Sequence, residues 1–496
     1  MSRRLLAVAA ALLLLSATPT HASAAVRLIK LSSDPFTNST SQHKTEVEPD
    51  IFSYGSTEVA VFQTGRFYDG GSSDTGWATS TNAGKTWSHG FLPGITTIEG
   101  PSGQYAHVSD PAVAYDAFHS TWLVSGLPLI NVSSGAIGQM PTISSSTDGL
   151  HWNNPVIVAP NNGDFIDKEW IACDNWSKSK YLGHCYVEFD DAYQGDAEEM
   201  TTSKDGGKTW STPQVIGVYG LGGQPLVLPS GTVVVPYEDA YGNISSFTST
   251  NGGASWGGET TIAAINFHGV AGNLRTSPLP SAQIDGGGKI YVVWEDCSFR
   301  TNCSSNDIVM STTTDGAQWS GVARVPIDAT SSTVDHFIPG IAADINTSGS
   351  GAHLGLTYYF YPKANCSPST CQLTVGFIGS QDGGTTWGTP TTLTAPMNLQ
   401  WLAQTNQGYM VGDYIATAFA GGLAHAAFSV AVAPKASNSF VQHMATTKDG
   451  LSPLEGFMRR SSRGDRRMLG TRYARPRFWL PPLNDPEALT TTSSTE

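Results

Sequence analysis

The chain has 496 residues, of which 40% are hydrophobic and 14% charged, and it contains 53 glycines and 28 prolines. Abundant glycine and sparse charge do not suit helical bundles or coiled coils, and they favour a fold of strands and turns. The formal net charge of −14 argues against a nucleic-acid-binding protein. The segment 25–450 carries 17 basic and 36 acidic residues, and only five of the basic ones are arginines, whereas the tail 451–496 holds eight arginines.

The N-terminus has the organisation of an export signal. Two arginines precede an apolar run over 5–15, and the small residues Ala22 and Ala24 flank a serine as in a cleavage site. The run is short for a membrane span. A second apolar stretch, 414–433, has two glycines and a histidine in its middle, which indicates two buried strands around a turn. We therefore predict a signal peptide over 1–24 and a secreted, monomeric protein without a membrane span.

Six cysteines fall as three close pairs, which predicts local disulfides that close hairpins or loops in an oxidising compartment. The spacings do not match a metal site, and the sequence contains no cofactor motif, so we expect no cofactor. The excess of acidic residues permits a structural calcium ion, to which no residues are assigned. The three pairs are Cys173/Cys185, Cys297/Cys303 and Cys366/Cys371.

One short pattern recurs six times and organises the chain. In each copy a serine or threonine stands seven residues before a tryptophan, a glycine stands three before it, and Asp, Asn or Thr stands five before it. A short polar side chain can bond to turn backbone, glycine permits positive φ, and tryptophan covers the hairpin with apolar surface. The copies span 80–87, 145–152, 203–210, 249–256, 312–319 and 380–387.

This motif resembles the Asp-box, or BNR repeat, of the sialidase-like β-propellers, and the resemblance extends over nearly the whole chain from residue 25 to residue 450. In that superfamily the box caps the turn between the third and fourth strands of a blade, away from the active face. The resemblance therefore implies a structural role for all six boxes, which identify a fold and not a reaction.

A second repeat lies upstream of each box and consists of a short apolar run, a glycine turn and another apolar run. Successive copies are 55 to 74 residues apart. Short strands and turns at one such period indicate four-stranded antiparallel blades. The runs start at Pro49, Pro111, Glu169, Pro225, Pro280, Pro339 and Asp413.

There are seven such units but six complete boxes, since the seventh unit ends at 447–450 without its tryptophan. The segment 26–31 precedes the first unit and resembles a spare outer strand. We predict an all-β, seven-bladed β-propeller over 25–450, closed by the N-terminal strand in the last blade, which also removes exposed sheet edges. Six blades are the alternative, because the sialidases have six. The tail 451–496 lacks strand periodicity and is predicted to be disordered.

In a propeller the loops that enter the inner strands form the usual binding face, so the residues around each blade start are the candidate site residues. A ring of acids with a few cations would suit a sugar, although each residue could instead cap a strand or join two blades. The catalytic candidates are Asp110, Asp167 and Tyr414. The substrate-binding candidates are Arg275, Lys168, Glu48, Gln224, His336 and Asp413.

Arg275 carries a specific hypothesis. It lies five residues before a blade start, and so acidic a body needs a cation if it is to bind an anionic sugar. We predict that Arg275, Lys168, Asp110 and Asp167 line one pocket, in which the cations orient substrate and an aspartate acts as acid or base. An inter-blade salt bridge of Arg275 is the rival interpretation.

Three functional classes stay open, and with them the question whether the protein is an enzyme. Exo-sialidases of the superfamily need three arginines for the sialic acid carboxylate, and here only Arg275 lies beside a blade start. The first class is a secreted, sialidase-like glycoside hydrolase that acts on extracellular carbohydrate. The second is a polysaccharide lyase on uronate glycans, and the third is a non-catalytic propeller that binds glycans or proteins.

Overall fold

The computed structural model describes residues 26–133, 135–436 and 439–453. The predicted signal peptide lies outside these residues, as does the tail from residue 454 onward. Leu451 is buried and exchanges two backbone hydrogen bonds with Ala424, so the fold includes this residue. In these ranges no helix is long and apolar enough to cross a membrane. The chain is all-β apart from the 3₁₀ turns Ala192–Gln194, Thr301–Cys303, Gly349–Gly351 and Leu399–Trp401.

Within the described residues we divide the strands into seven antiparallel groups of four, numbered in chain order. Groups 1 and 2 belong to one nine-stranded sheet, and groups 3 and 4 belong to one eight-stranded sheet. Strand β1 spans Leu28–Lys30. Group 1 contains β2 (Gln42–Tyr54), β3 (Thr57–Arg66), β4 (Ser72–Ser80) and β5 (Ser88–Phe91). Group 2 contains β6 (His107–Asp116), β7 (Thr121–Val132), β9 (Thr142–Ser146) and β10 (Val156–Ile157), and β8 (Gly135–Gly138) pairs with β7. Group 3 contains β11 (Ile166–Cys173), β12 (Cys185–Asp191), β13 (Ala197–Ser203) and β14 (Gln214–Leu221).

The remaining four groups complete the chain. Group 4 contains β15 (Leu226–Val227), β16 (Val233–Asp239), β17 (Asn243–Ser249) and β18 (Thr260–Ala264). Group 5 contains β19 (Ser281–Ile284), β20 (Ile290–Asp296), β21 (Asp307–Thr313) and β22 (Ala323–Arg324). Group 6 contains β23 (Asp335–Ala343), β24 (Leu354–Tyr361), β25 (Thr374–Ser380) and β26 (Thr391–Thr392). A hairpin of β27 (Ala403–Thr405) and β28 (Gly408–Met410) precedes group 7, which contains β29 (Ala416–Ala420), β30 (Leu423–Ala431), β31 (Gln442–Thr447) and β1.

The N-terminal strand belongs to the last group, as the spare strand in the sequence predicts. Strand β1 pairs antiparallel with β31, and Leu28 lies opposite Thr447. The apolar stretch after residue 414 forms the predicted pair of strands, β29 and β30, around Gly421 and Gly422. The two ends of the described chain are therefore joined in one sheet.

The hydrophobic core lies between neighbouring groups. Val61 and Trp77 of group 1, for example, pack in one cluster with Val113 and Val124 of group 2. These strands are rich in β-branched and aromatic residues, which suit a pleated and buried surface. Each such side chain contributes about 1.5–3 kcal/mol when fully buried, so the contacts between successive groups hold the fold together.

The six boxes occupy the turns between third and fourth strands, as expected. In the third box Ser203 Oγ accepts the backbone N–H of Gly207 at 3.0 Å, and Asp205 Oδ1 accepts that of Thr209 at 2.9 Å. In the second and fifth boxes the turn is shorter by one residue, so the sequence pattern placed the accepting hydroxyl one position too early. There the hydroxyl that accepts is six residues before the tryptophan, at Ser146 and Thr313.

All three predicted disulfides are present. Cys173–Cys185 joins two paired strands of group 3, and Cys297–Cys303 and Cys366–Cys371 close short loops. The described residues contain no free cysteine. The close pairing of cysteines in sequence was therefore sufficient to identify their partners.

The first strands of all seven groups line a common cavity of about 340 Å³. Ala83 N of the first box donates to Ser56 O in the turn between β2 and β3, so the box turns lie at the end where first strands finish. We call this the box end. We call the opposite end, where the first strands begin, the bulge end, because β-bulges stand there in four groups, at Glu48, Asp110, Lys168 and Ile338.

Candidate functional site

Backbone strain is concentrated at the bulge end. The φ angle is 53° at Glu48, 44° at Asp110, 48° at Lys168 and 47° at Ile338. A non-glycine residue in this left-handed region costs on the order of 1–3 kcal/mol, and such residues cluster at functional sites. A bulge also changes the direction of a side chain relative to the regular pleat. Three of these four strained residues are charged, so the fold accepts strain where the candidate site residues stand.

The charged side chains from separate groups meet in one cluster. Lys168 Nζ donates to Asp413 Oδ2 and lies 3.6 Å from Asp110 Oδ1 and 3.9 Å from Glu48 Oε1. Arg275 Nε donates to Asp413 Oδ1 at 2.7 Å, and its Nη2 donates to the other oxygen of the same carboxylate. We call these five residues the ion cluster. They come from groups 1, 2 and 3, from the segment before group 5 and from the segment before group 7.

The ion cluster gives its carboxyl groups different pKa values. Burial by itself would raise the pKa of Asp413, but Arg275 and Lys168 lower this pKa far below its usual range. Burial, together with Asp110 and Asp413, raises the pKa of Glu48 to about 8. Burial acts against the charge of Lys168, yet the surrounding acids hold its pKa well above the ordinary value. At neutral pH Asp413 is therefore ionised and Glu48 is protonated.

Asp110 borders a small cavity beside the cluster. The cavity has a volume of about 20 Å³ and is lined by Asp110, Lys168, Gln224 and Tyr414, among others. Asp110 Oδ1 has no hydrogen-bond partner within the described residues. A volume of this size holds one water molecule when polar partners are present. The arrangement can therefore place a single water against an aspartate oxygen.

The other catalytic candidates are close by but differ in chemistry. Asp167 is half-buried and accepts Lys168 N–H through Oδ1 at 3.0 Å, and burial raises its pKa. Tyr414 is buried, donates its hydroxyl to Pro111 O at 3.3 Å and packs edge-on against Trp170. Burial, with Glu48 and Asp110 nearby, raises the pKa of Tyr414 well above its ordinary value. The Tyr414 hydroxyl is therefore held neutral in the wall of the site, and a catalytic role of Tyr414 stays a prediction.

Gln224 and His336 do not belong to the ion cluster. Gln224 Oε1 accepts Ala282 N–H at 2.8 Å, so this side chain joins groups 4 and 5 while it borders the small cavity. His336 belongs to a different charged cluster, where its Nε2 lies 3.9 Å from Asp328 Oδ2. Burial lowers the pKa of His336 to about 4, which keeps it neutral. His336 therefore lies in a different charged cluster from Lys168 and Arg275, and its role in substrate binding stays a prediction.

The second charged cluster has the residue types of a metal site. Asp307, Asp328 and His336 each offer a ligand atom, and these atoms lie within 4.8 Å of one another. Two arginines already neutralise the carboxylates: Arg300 Nε lies 2.8 Å from Asp307 Oδ2, and Arg324 Nη2 lies 2.7 Å from Asp328 Oδ1. The arginines therefore satisfy Asp307 and one oxygen of Asp328, whereas Asp328 Oδ2 accepts no hydrogen bond within the described residues.

Two residues near the ion cluster escaped the sequence analysis. Gln63 donates to Glu48 Oε2 and to Ser109 Oγ, the latter at 3.0 Å, and it thereby connects the bulges of groups 1 and 2. Arg66 is buried and donates from Nη1 to Gly71 O at 2.6 Å. Both lie on β3, a second strand, whereas the candidate residues were those around the starts of first strands. Gln63 and Arg66 lie near the end of β3 that pairs with the start of β2, and this expected pairing would have identified them as neighbours of the site.

Comparisons with known proteins agree with the repeat pattern. Residues 142–340 match the BNR repeat-like domain. No curated protein matches the chain. The matched range contains four of the six boxes, those at 145–152, 203–210, 249–256 and 312–319.

Solved structures offer similarities at low identity. A protein of unknown function from Dyadobacter fermentans is 16% identical, with a TM-score of 0.46, and the match covers 71% of this chain and 99% of that one. The NanB sialidase from Streptococcus pneumoniae is 15% identical, with a TM-score of 0.38 and coverage of 85% and 69%. An ulvan lyase of polysaccharide lyase family PL25 is 11% identical, with a TM-score of 0.46 and coverage of 85% and 96%. Similarities at this level carry nothing about substrate or reaction.

Proposed function

We propose that the seven groups close into a seven-bladed β-propeller over 25–450. The pairing of β1 with β31 supports closure, because it joins the N-terminal strand to the last group. The lining of one cavity by all seven first strands supports a ring around a central axis. Seven four-stranded groups speak against the six-bladed alternative.

We propose that the protein is a secreted, glycan-active hydrolase whose site is the bulge end. One observation carries this proposal: charged residues from separate groups meet there on strained, left-handed bulges. A fold gains no stability from such strain, so a function of the charged cluster is the economical reason for it. The three disulfides support an oxidising, extracellular compartment.

In this proposal Asp110 and Asp167 carry the reaction. Asp110, which borders the small cavity and whose Oδ1 accepts no hydrogen bond from the described residues, acts as general base on a water there. Asp167 acts as general acid, because burial raises its pKa and its side chain is partly exposed. Two carboxyl groups in such unequal environments are the pair that glycoside hydrolysis requires. Lys168 and Arg275 position the carboxylates and do not contact substrate.

A non-catalytic glycan-binding propeller is the second candidate. The small cavity holds no more than a water, and Lys168 and Arg275 are both occupied by carboxylates. The same pairing disfavours a uronate lyase and a sialidase, since both need a cation that is free to bind the carboxylate of the sugar. Glycan retention without product release would favour the binding module.

The experiment is an incubation of the mature protein with neutral polysaccharides, sialosides and uronate polymers, followed by product analysis. The matched variants are Asp110→Asn and Asp167→Asn, with Asp315→Asn in a box turn as control. Asparagine tolerates the left-handed conformation of Asp110, so the first variant keeps the bulge. We expect wild type and control to release reducing ends, and each site variant to lose about 100-fold in rate or more. Equal rates in all four proteins would contradict the assignment, and no product from any glycan would contradict the hydrolase.

A further inference from the structure

We infer that the glycan bound at the bulge end is uncharged and that exposed aromatic side chains on the surrounding loops hold it by stacking. This inference rests on the proposed function and names its substrate class. It replaces the expectation that Arg275 binds an anionic sugar.

The arginines of segment 25–450 leave no free guanidinium fork at this end of the described chain. Arg275 holds Asp413 through two hydrogen bonds, and Arg66 is buried with Nη1 on Gly71 O. Arg300 and Arg324 neutralise the second charged cluster, and Arg27 pairs with Asp449. Recognition of a sugar carboxylate uses such forks, and the acidic body adds repulsion. An uncharged glycan needs no guanidinium fork and is not repelled by the acidic body.

Exposed aromatic side chains stand on the loops of the same end. Each lies between the second and third strands of its group, and those loops flank the starts of the first strands. The apolar C–H face of a pyranose ring fits an aromatic face, so rings that are exposed at this end suit the binding of a sugar. The four residues and their exposed fractions are Tyr68 59%, Tyr193 62%, Tyr241 81% and Phe299 39%.

The loops present these rings on preorganised turns. Asp191 Oδ1 accepts Tyr193 N–H at 3.0 Å, and Asp239 Oδ1 accepts Tyr241 N–H at 2.9 Å. The two turns share the sequence Asp-Ala-Tyr at the end of a second strand. A side-chain acceptor two residues earlier fixes the backbone of such a turn. The backbone that carries the two aromatic rings is thus fixed before binding, which reduces the entropy lost on association.

Two of the aromatic loops are connected to the site through intervening residues. The Tyr193 ring contacts the Phe165 ring edge-on at 5.5 Å, and Phe165 stands two residues before Asp167. On the other side, Tyr68 O accepts Asn406 N–H at 2.9 Å in the turn between β27 and β28. Strand β28 ends beside Arg275, whose N–H donates to Tyr409 O. The loops of Tyr193 and Tyr68 are therefore linked to the segments that carry Asp167 and Arg275, where subsites for a glycan chain would lie.

The test is affinity electrophoresis of the mature protein in gels containing β-glucan, xylan, mannan or polygalacturonate. The double variant Tyr193→Ala/Tyr241→Ala is compared with Tyr54→Ala, whose ring is similarly exposed, at 46%, but at the box end. We expect a neutral polysaccharide to retain the wild-type protein, with an affinity that falls about tenfold or more in the double variant and does not change in Tyr54→Ala. The affinity should recover in Tyr193→Trp/Tyr241→Trp, because tryptophan restores an aromatic face. Melting curves establish that all variants are folded.

Three other outcomes overturn the inference in distinguishable ways. If neutral glycans retain the double variant and Tyr54→Ala equally, the aromatic subsites are contradicted, but the proposed function is not. Retention by polygalacturonate alone removes the uncharged substrate and also leaves the proposed function. Retention by none of the polysaccharides, together with no product from any of them, removes both.

Discussion

At the scale of the residue, Asp413 is the centre of the ion cluster, and Arg275 is its bidentate partner. Removing one member of a buried ion pair leaves an uncompensated charge and costs about 3–5 kcal/mol. We therefore expect Arg275→Met to lower the free energy of unfolding by roughly this amount, measured by urea denaturation. The double variant Arg275→Met/Asp413→Asn should recover part of the loss, because it removes the stranded carboxylate as well.

The same variants separate the two interpretations of Arg275. A positioning residue that acts through Asp413 gives a large stability loss and a partial recovery. A direct substrate contact instead gives unchanged stability with turnover or affinity lowered by tenfold or more, which is about 1.4 kcal/mol. The latter result would contradict the charge pairing described for the site.

Glu48 gives a pH dependence with a definite sign. Its pKa is raised from the model-compound value of 4.5 to about 8 in the folded protein. The folded state thus binds the proton more tightly than the unfolded state, and the resulting stability is fully present below pH 4.5 and is lost as the pH rises through 8. We expect the free energy of unfolding of wild type to fall between pH 5 and pH 8, and this fall to be smaller in Glu48→Gln.

Urea denaturation at the two pH values measures the effect. Asp205→Asn is the control, because hydrogen bonds in its box turn overcome burial and lower the pKa of Asp205, which places its titration below this range. A pH slope that is identical in wild type and Glu48→Gln would contradict the raised pKa.

At the scale of the element, the box turns join neighbouring groups. Gly207 in the third box has a φ of +80°, and a Cβ there would lie 2.7 Å from Leu123 Cδ2 in group 2. Gly207→Ala should therefore lower the free energy of unfolding by about 1–3 kcal/mol, because it adds left-handed strain and a steric clash. Gly258→Ala is the matched control, since a Cβ at Gly258 meets nothing within 4 Å. Equal stability of the two variants would argue against this role of the box glycine.

The elements themselves could be predicted from sequence to a large extent. Box turns, first strands and disulfides depend on interactions between residues close in the chain, so local patterns specify them. The shorter turns at Ser146 and Thr313 were misaligned because a neighbouring residue, Ser145 or Thr312, offers the same hydroxyl one position earlier. Only the hydrogen-bond geometry distinguishes the two alignments.

At the scale of the whole molecule, the sequence predicted which charged residues stand at the bulge end but not how they pair. Lys168 and Asp413 are 245 residues apart, and Arg275 and Asp413 are 138 apart, so their contact depends on the arrangement of all the groups. The side-chain direction at a bulge is likewise a tertiary property. For this reason local spacing could not predict that His336 lies in a different charged cluster, or that Arg275 forms an ion pair with Asp413.

Hydrogen–deuterium exchange with and without a saturating mixture of β-glucan, xylan and mannan oligosaccharides tests most directly where the protein binds glycan. If the bulge end is the site, exchange should slow in peptides covering 105–112, 163–170, 192–196 and 409–415. Peptides covering the boxes at 80–87 and 203–210 should be unchanged, because they lie at the opposite end of the first strands. Protection confined to the box turns, or no protection anywhere, would contradict a glycan site at the bulge end.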